Sequence, residues 1–173
     1  MVFDYYQRLS AKKQSIYRQS DAIIAIPLPN PQPLQSPAQA LAAALLAEDK
    51  TLVQALSQQI TDGIVAQMKV PALRIQVLAV RPSNDWGELH GLYLPEEDDK
   101  TAKIQLWMRT AKHKRIVAYK SYLRTLLHEI CHHLDYEHYK FPETFHTEGF
   151  YQREASLFHQ LVQTESANMP RQE

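Results

Sequence analysis

Ten consecutive residues constrain this chain most: Leu126-Leu127-His128-Glu129-Ile130-Cys131-His132-His133-Leu134-Asp135. They contain H-E-x-x-H, two histidines four apart with a glutamate directly after the first. On an α-helix, residues i and i+4 project from one face a single turn apart, so both imidazoles can reach one point in space. The flanks supply the helix. Leu123, Leu127, Ile130 and Leu134 recur at i, i+4, i+7 and i+11 as one apolar stripe, with His128, His132 and Asp135 near the opposite face. Imidazoles so placed form a metal pair, and Zn²⁺ is the expected ion. Neutral imidazoles hold it while leaving a position open for water, whose pKa falls toward ~7. Glu129 is then expected to be the base that takes the water's proton. The competing reading is a surface helix with a polar outer face, in a chain that carries eight histidines.

Bulk properties narrow the classes further. At 173 residues the chain has the size of one domain, or of one domain with an N-terminal appendage. Lysine plus arginine equals aspartate plus glutamate at 19 each, so no global field is available to hold nucleic acid or an anionic membrane, and neither is expected as a partner. The basic run Lys112-His113-Lys114-Arg115 reads as a solvated turn. The single cysteine, Cys131, excludes an internal disulfide and a cysteine-based zinc ribbon, and reads as a small buried thiol in a reducing compartment. No basic N-terminal segment runs into an apolar one, and no stretch approaches ~18 apolar residues. The expectation is a cytoplasmic protein with neither signal peptide nor membrane span.

Along the chain, residues 1–26 read as a short helical arm capped at Asp4 or Ser10, and Pro27, Pro29, Pro31, Pro33 and Pro37 as a stiff extended connector. Ala38 to Met68 carries leucine and isoleucine at helical spacing, interrupted near Glu48–Thr51, which predicts two consecutive helices, with Asp49 or Thr51 as the second cap, or one helix with a break. After Pro71 the period changes to two. Strands are expected around 73–79, over 88–94 and over 103–109, with an acidic loop at 96–100. The metal helix should start between Val117 and Ser121 and end near Tyr136, and a last helix should start near Glu143 or Thr144. The fold class expected is α+β: N-terminal helices, a small, mainly antiparallel three-stranded sheet, the H-E-x-x-H helix, and a C-terminal helix that supplies a third ligand. The domain boundaries follow as an arm and connector over 1–37, a catalytic domain over 38–165 and a polar tail over 166–173. The third strand, lying just before the metal helix, could align an extended peptide if it were a sheet edge; ordinary interior pairing is the alternative.

Two groups after the motif can complete a catalytic site. His146 stands fourteen residues beyond His132, and Glu154 stands two helical turns further on. The run Thr125-Leu126-Leu127-His128-Glu129-Ile130-Cys131-His132-His133, followed by His146-Thr147-Glu148-Gly149-Phe150, resembles the SprT-like and YgjP-type zinc metallopeptidases. These are minimal zincins in which the H-E-x-x-H helix is followed by H-x-x-x-F. The resemblance covers about residues 101–162. It implies His128, His132 and His146 as zinc ligands, Glu129 as catalytic base, and Phe150 packed beneath the site. Relatives of that kind that act at DNA carry a cysteine zinc ribbon or a basic module; this chain has neither, so repair of DNA–protein crosslinks is not expected. Gluzincins, including ImmA-like peptidases, bind metal through a glutamate near an E-A dipeptide, which makes Glu154, in Glu154-Ala155, the alternative third ligand.

Asp135 lies on the ligand face, where a carboxylate could accept the remaining imidazole N–H and fix its tautomer; helix capping is the other reading. His133 points away from His132 and is not expected to be a ligand, and His90, His113, His138 and His159 have no partner by spacing. Tyr136 and Tyr151 are candidate donors to an oxyanion. The expected activity is zinc-dependent hydrolysis of a peptide or protein substrate. The alternatives are a catalytically inactive zincin-like metal-binding or regulatory protein and a metal-free helical protein.

Overall fold

The computed structural model describes residues 2–84, 87–97 and 100–162. The expected polar tail at 166–173 lies outside these, as do two residues each of the 82–87 turn and the acidic loop. A short 3-10 helix, Asp4–Arg8, leads into α1, Ala11–Asp21, which Ser10 caps by accepting from the Lys13 N–H. The connector is extended only as far as Pro31. Helix α2, Gln32–Leu46, starts earlier than expected and contains both Pro33 and Pro37. Pro33 sits in the first turn, where its missing N–H would be unpaired in any case and its fixed φ is already helical. Pro37 follows a turn later with its ring buried. Asp49 then caps α3, Lys50–Met68, by accepting from Leu52 N–H at 2.9 Å, after a break at Glu48, whose φ is 56°.

Strand β1 is Arg74–Val80, a two-residue hairpin forms from β2, Ser83–Asn84, and β3, Gly87–Glu88, and the strands β4, Gly91–Leu94, and β5, Lys103–Arg109, follow. The main sheet has the order β1-β5-β4, with β5 parallel to β1 and antiparallel to β4. It is therefore mixed rather than mainly antiparallel. It also puts β5 in the centre, which removes that strand as a docking edge. The β1 edge is closed by side chains of α3. Gln54 accepts from Val77 N–H and donates to Ile75 O, while Gln58 accepts from Ile75 N–H and donates to Leu73 O, at 2.6–2.9 Å. Two amide side chains thus stand in for a fourth strand and blunt that edge. The other edge, β4, faces the H-E-x-x-H helix.

That helix, α4, spans Tyr119–Glu137, and the last helix, α5, spans Glu148–Leu161. Helix α5 starts later than expected, because Thr147 supplies its cap by accepting from Phe150 N–H at 2.9 Å. Pro142 ends the preceding segment without starting a helix, and Phe145 and His146 lie in the loop before the cap. The main core joins Leu41, Leu45, Ile60 and Ile64 of the first helix pair to Ile104 and Leu106 of β5, and to Leu123, Leu127, Ile130 and Leu134 of α4. The predicted stripe of α4 is the buried one. A second, smaller cluster, Tyr6, Ile16, Tyr17, Phe141 and Phe145, joins the N-terminal arm to the loop between α4 and α5. Among the described residues no helix is long and apolar enough to cross a membrane.

Candidate metal centre

Helix α4 presents His128 and His132 one turn apart, and the loop ahead of α5 brings His146 over them. The Nε2 atoms of His128 and His146 are 3.0 Å apart, and those of His146 and His132 are 3.1 Å apart. Neighbouring groups fix the tautomers. His128 Nδ1 lies 3.1 Å from Glu154 Oε2, and a carboxylate only accepts, so Nδ1 carries a proton and the neutral ring keeps its lone pair on Nε2. His132 Nδ1 lies 2.9 Å from Thr144 Oγ1, whose own proton goes to Asp135 Oδ2 at 2.8 Å. The threonine hydroxyl can therefore only accept from His132, which again leaves the Nε2 lone pair pointing inward. Burial, then the neighbouring His128 and His146, push His132 down to about 3, so its ring is neutral at ordinary pH.

The donor set fits a zinc ion. His146 Nε2 stands about 3 Å from each of the other two, close to the ~3.3 Å that separates tetrahedral nitrogens held at ~2.0–2.1 Å by Zn²⁺, and the three ligand atoms lie within 4.8 Å of one another. His128, His132 and His146 are also the three potential ligand groups that lie together among the described residues. Phe150 packs its ring 4.8–5.2 Å from all three imidazole centroids and is itself fully buried.

Glu154, the alternative ligand, lies against the far nitrogen of His128 and within 3.4 Å of the Arg124 guanidinium. In that position it orients the His128 imidazole. Asp135 reaches His132 through the Thr144 hydroxyl instead of directly. Its other oxygen accepts from the fully buried Arg153 at 2.9 Å. Nothing in the spacing singled out Thr144 or Arg153, because a loop threonine and a helix arginine carry no period that points at a ligand.

Glu129 sits beside this cluster, buried, with its carboxyl raised to about 7 by that burial; His128 and the Tyr93 N–H that bonds it pull the other way. Gly91 makes this burial feasible. A Cβ there would stand 2.5 Å from Glu129 Oε1 and 2.8 Å from Thr125 Cγ2, so β4 can pass over the carboxylate only without a side chain at that position. A cleft of about 570 Å³ opens between β4, α4 and α5, a size suited to a short extended segment. His90 and Leu92 line it from the β4 side, Arg124 from α4 and Tyr151 from α5, with the three histidines, Glu129 and Glu154 at its floor.

The remaining candidates fall elsewhere. His133 is tied to Tyr93 Oη at 3.1 Å and Pro71 O at 3.0 Å, outside the cluster. Tyr136 stacks on Tyr93 at 6.0 Å, while Tyr151 faces the histidines, its ring 6.0 Å from those of His128 and His146. Cys131 is fully buried and its thiol is raised well above its ordinary value by that burial, so it is inert.

Residues 40–165 match the family model of the WLM domain. This chain belongs to the WLM family. WLM domains are zinc-metalloprotease-like, and the match spans every strand and every residue of the site just described. It places the chain in a family related to the zincins, coarser than the SprT-like or YgjP-type likeness of the motifs. No curated protein and no solved structure matches the chain. The arm and connector, residues 1–37, lie outside the matched region.

Proposed function

We propose that this WLM protein is a zinc-dependent peptidase of the SprT-like kind, with His128, His132 and His146 holding the ion and Glu129 acting as general acid and base. The observation that carries the reading is the convergence of three Nε2 atoms beside a buried glutamate under the sheet's open edge. A purely structural zinc site has no use for a carboxylate of that kind, and usually closes with a fourth protein ligand. When bound, the ion would polarise a substrate carbonyl and acidify water at the site.

The chain's own residues do the rest. An extended peptide can lie along β4, the outer strand among the described residues, pairing with those backbone groups that Glu129 does not take. Glu129, buried beside the three histidines, is placed to take a proton from the attacking water and to return one to the departing amine nitrogen. Tyr93 N–H holds the carboxylate in place, and Gly91 leaves the room for it. Burial raises the Tyr151 hydroxyl above its ordinary value, so it stays protonated and can donate to the oxygen that gains charge. Equal numbers of basic and acidic residues favour a peptide or protein substrate over nucleic acid or membrane.

The test is the Glu129→Gln variant. Purified with zinc, it should retain one ion per chain by mass spectrometry and cleave a peptide library about 10³-fold more slowly than wild type. Equal cleavage by the two proteins would remove Glu129 from the mechanism. A wild-type chain that takes up no zinc would end the reading altogether.

A further inference from the structure

The loop between α4 and α5 carries both His146 and Thr144, yet its aromatic anchors do not enter the main core. Phe141 and Phe145 insert instead into the small cluster built on Tyr6, Ile16 and Tyr17 of the N-terminal arm. Polar contacts follow the same route. Tyr5 Oη donates to the His146 carbonyl at 2.9 Å, and Lys13 Nζ pairs with Glu143 at 2.8 Å. Gly149 N–H, in the first turn of α5, donates to Asp21 Oδ1 at 2.9 Å, and a Cβ on Gly149 would collide with the Asp21 backbone.

The arm also reaches the second ligand. Arg153 is fully buried and donates to Ser20 O at 2.6 Å, Ile23 O at 2.7 Å and Ser20 Oγ at 3.0 Å, all on the arm. Its remaining bond goes to Asp135, which accepts from Thr144, which accepts from His132. A buried guanidinium needs its partners, since stripping them leaves an uncompensated charge. The arm therefore holds Arg153 where it can hold Asp135.

We propose that residues 3–26 are a clasp on the metal centre, positioning His146 directly and His132 through Arg153, Asp135 and Thr144, so that metal retention depends on a segment outside the matched WLM region. The inference rests on the reading of the three histidines as a metal site and is independent of whether the site hydrolyses anything. Its residues are positioning residues: none of them touches the ion or the substrate.

The test is zinc affinity of the full chain, measured by competition with a chromophoric chelator, together with the visible spectrum of the Co²⁺-loaded protein. The double variant Tyr5→Phe, Asp21→Ala should bind zinc about ten-fold more weakly and show an altered Co²⁺ spectrum while keeping wild-type helicity. Asp21→Asn, which still offers an acceptor to Gly149 N–H, should bind like wild type. A folded double variant with unchanged affinity and spectrum overturns the clasp. Linkage gives a second readout that needs no variant: if the arm favours the ion, the ion must favour the arm. Zinc should therefore slow amide exchange over 3–26 as well as around His128 and His132, and unchanged exchange in the arm overturns the proposal even if the variant does not fold. Failure of the wild-type chain to bind zinc sinks the metal reading and the clasp together; binding that ignores the arm sinks the clasp alone.

Discussion

A buried glutamate without an ion-pair partner among the described residues is costly, and Glu129 is kept buried by β4, which passes over it at Gly91. Its carboxyl rises from the ordinary 4.5 to about 7 because burial disfavours the charge. The folded chain therefore keeps the proton longer than the unfolded one. The stability this contributes is full below about 4.5 and is lost as pH climbs through about 7. Glu129→Gln has no proton to lose at that position. In metal-free protein the variant should match wild type near pH 4.5 and exceed it above pH 7 by about 3 kcal/mol, with the difference growing between those limits. Urea unfolding of both proteins at several pH values measures this, and a difference that does not change with pH would show that the carboxylate is solvated. Glu129 was legible as a base from its place in the motif. Its burial was not, since that comes from a glycine far away in sequence.

At the level of elements, the helices were the most legible. The apolar stripe of α4 and the break before α3 are written in local spacing, and tertiary packing uses both as they stand. The sheet was less so: three strands could be found by their period of two, but the parallel pairing of β1 with β5 depends on which strand lands beside which, and no local pattern records that. The ligand loop was the hardest. The six residues before Thr147 are anchored by Phe141 and Phe145 in the arm, so the proline that should have opened a helix opened a loop instead. Thr144 in this loop joins α4 to itself by accepting a hydrogen bond from His132 Nδ1–H and donating one to Asp135. Thr144→Val keeps the shape and deletes both bonds, and should weaken zinc binding about 10- to 100-fold, whereas Thr144→Ser should restore it. Chelator competition on the three proteins decides the matter, and a valine variant that binds like wild type would show that His132 needs no partner to present Nε2.

For the molecule as a whole, the three histidines come from two segments that meet only when the chain is folded: two from α4 and one from the loop that the arm and α5 enclose. The unfolded chain cannot assemble them. Zinc must then stabilise the native state by mass action, by about 4 kcal/mol when its free concentration is a thousand times the dissociation constant. For a chain of this size each kcal/mol moves the melting temperature by about 2–4 °C, so zinc should raise it by roughly 8–16 °C and EDTA should reverse the rise. His146→Ala separates this from non-specific binding. It removes one nitrogen from the set and leaves α4 untouched, so most of the shift should vanish while the metal-free melting point stays near that of wild type. A shift that survives in His146→Ala would assign the third position to another group, with Glu154, 3.1 Å from His128 Nδ1, the alternative carboxylate. No shift in the wild-type chain would mean that these imidazoles meet for packing and not for an ion.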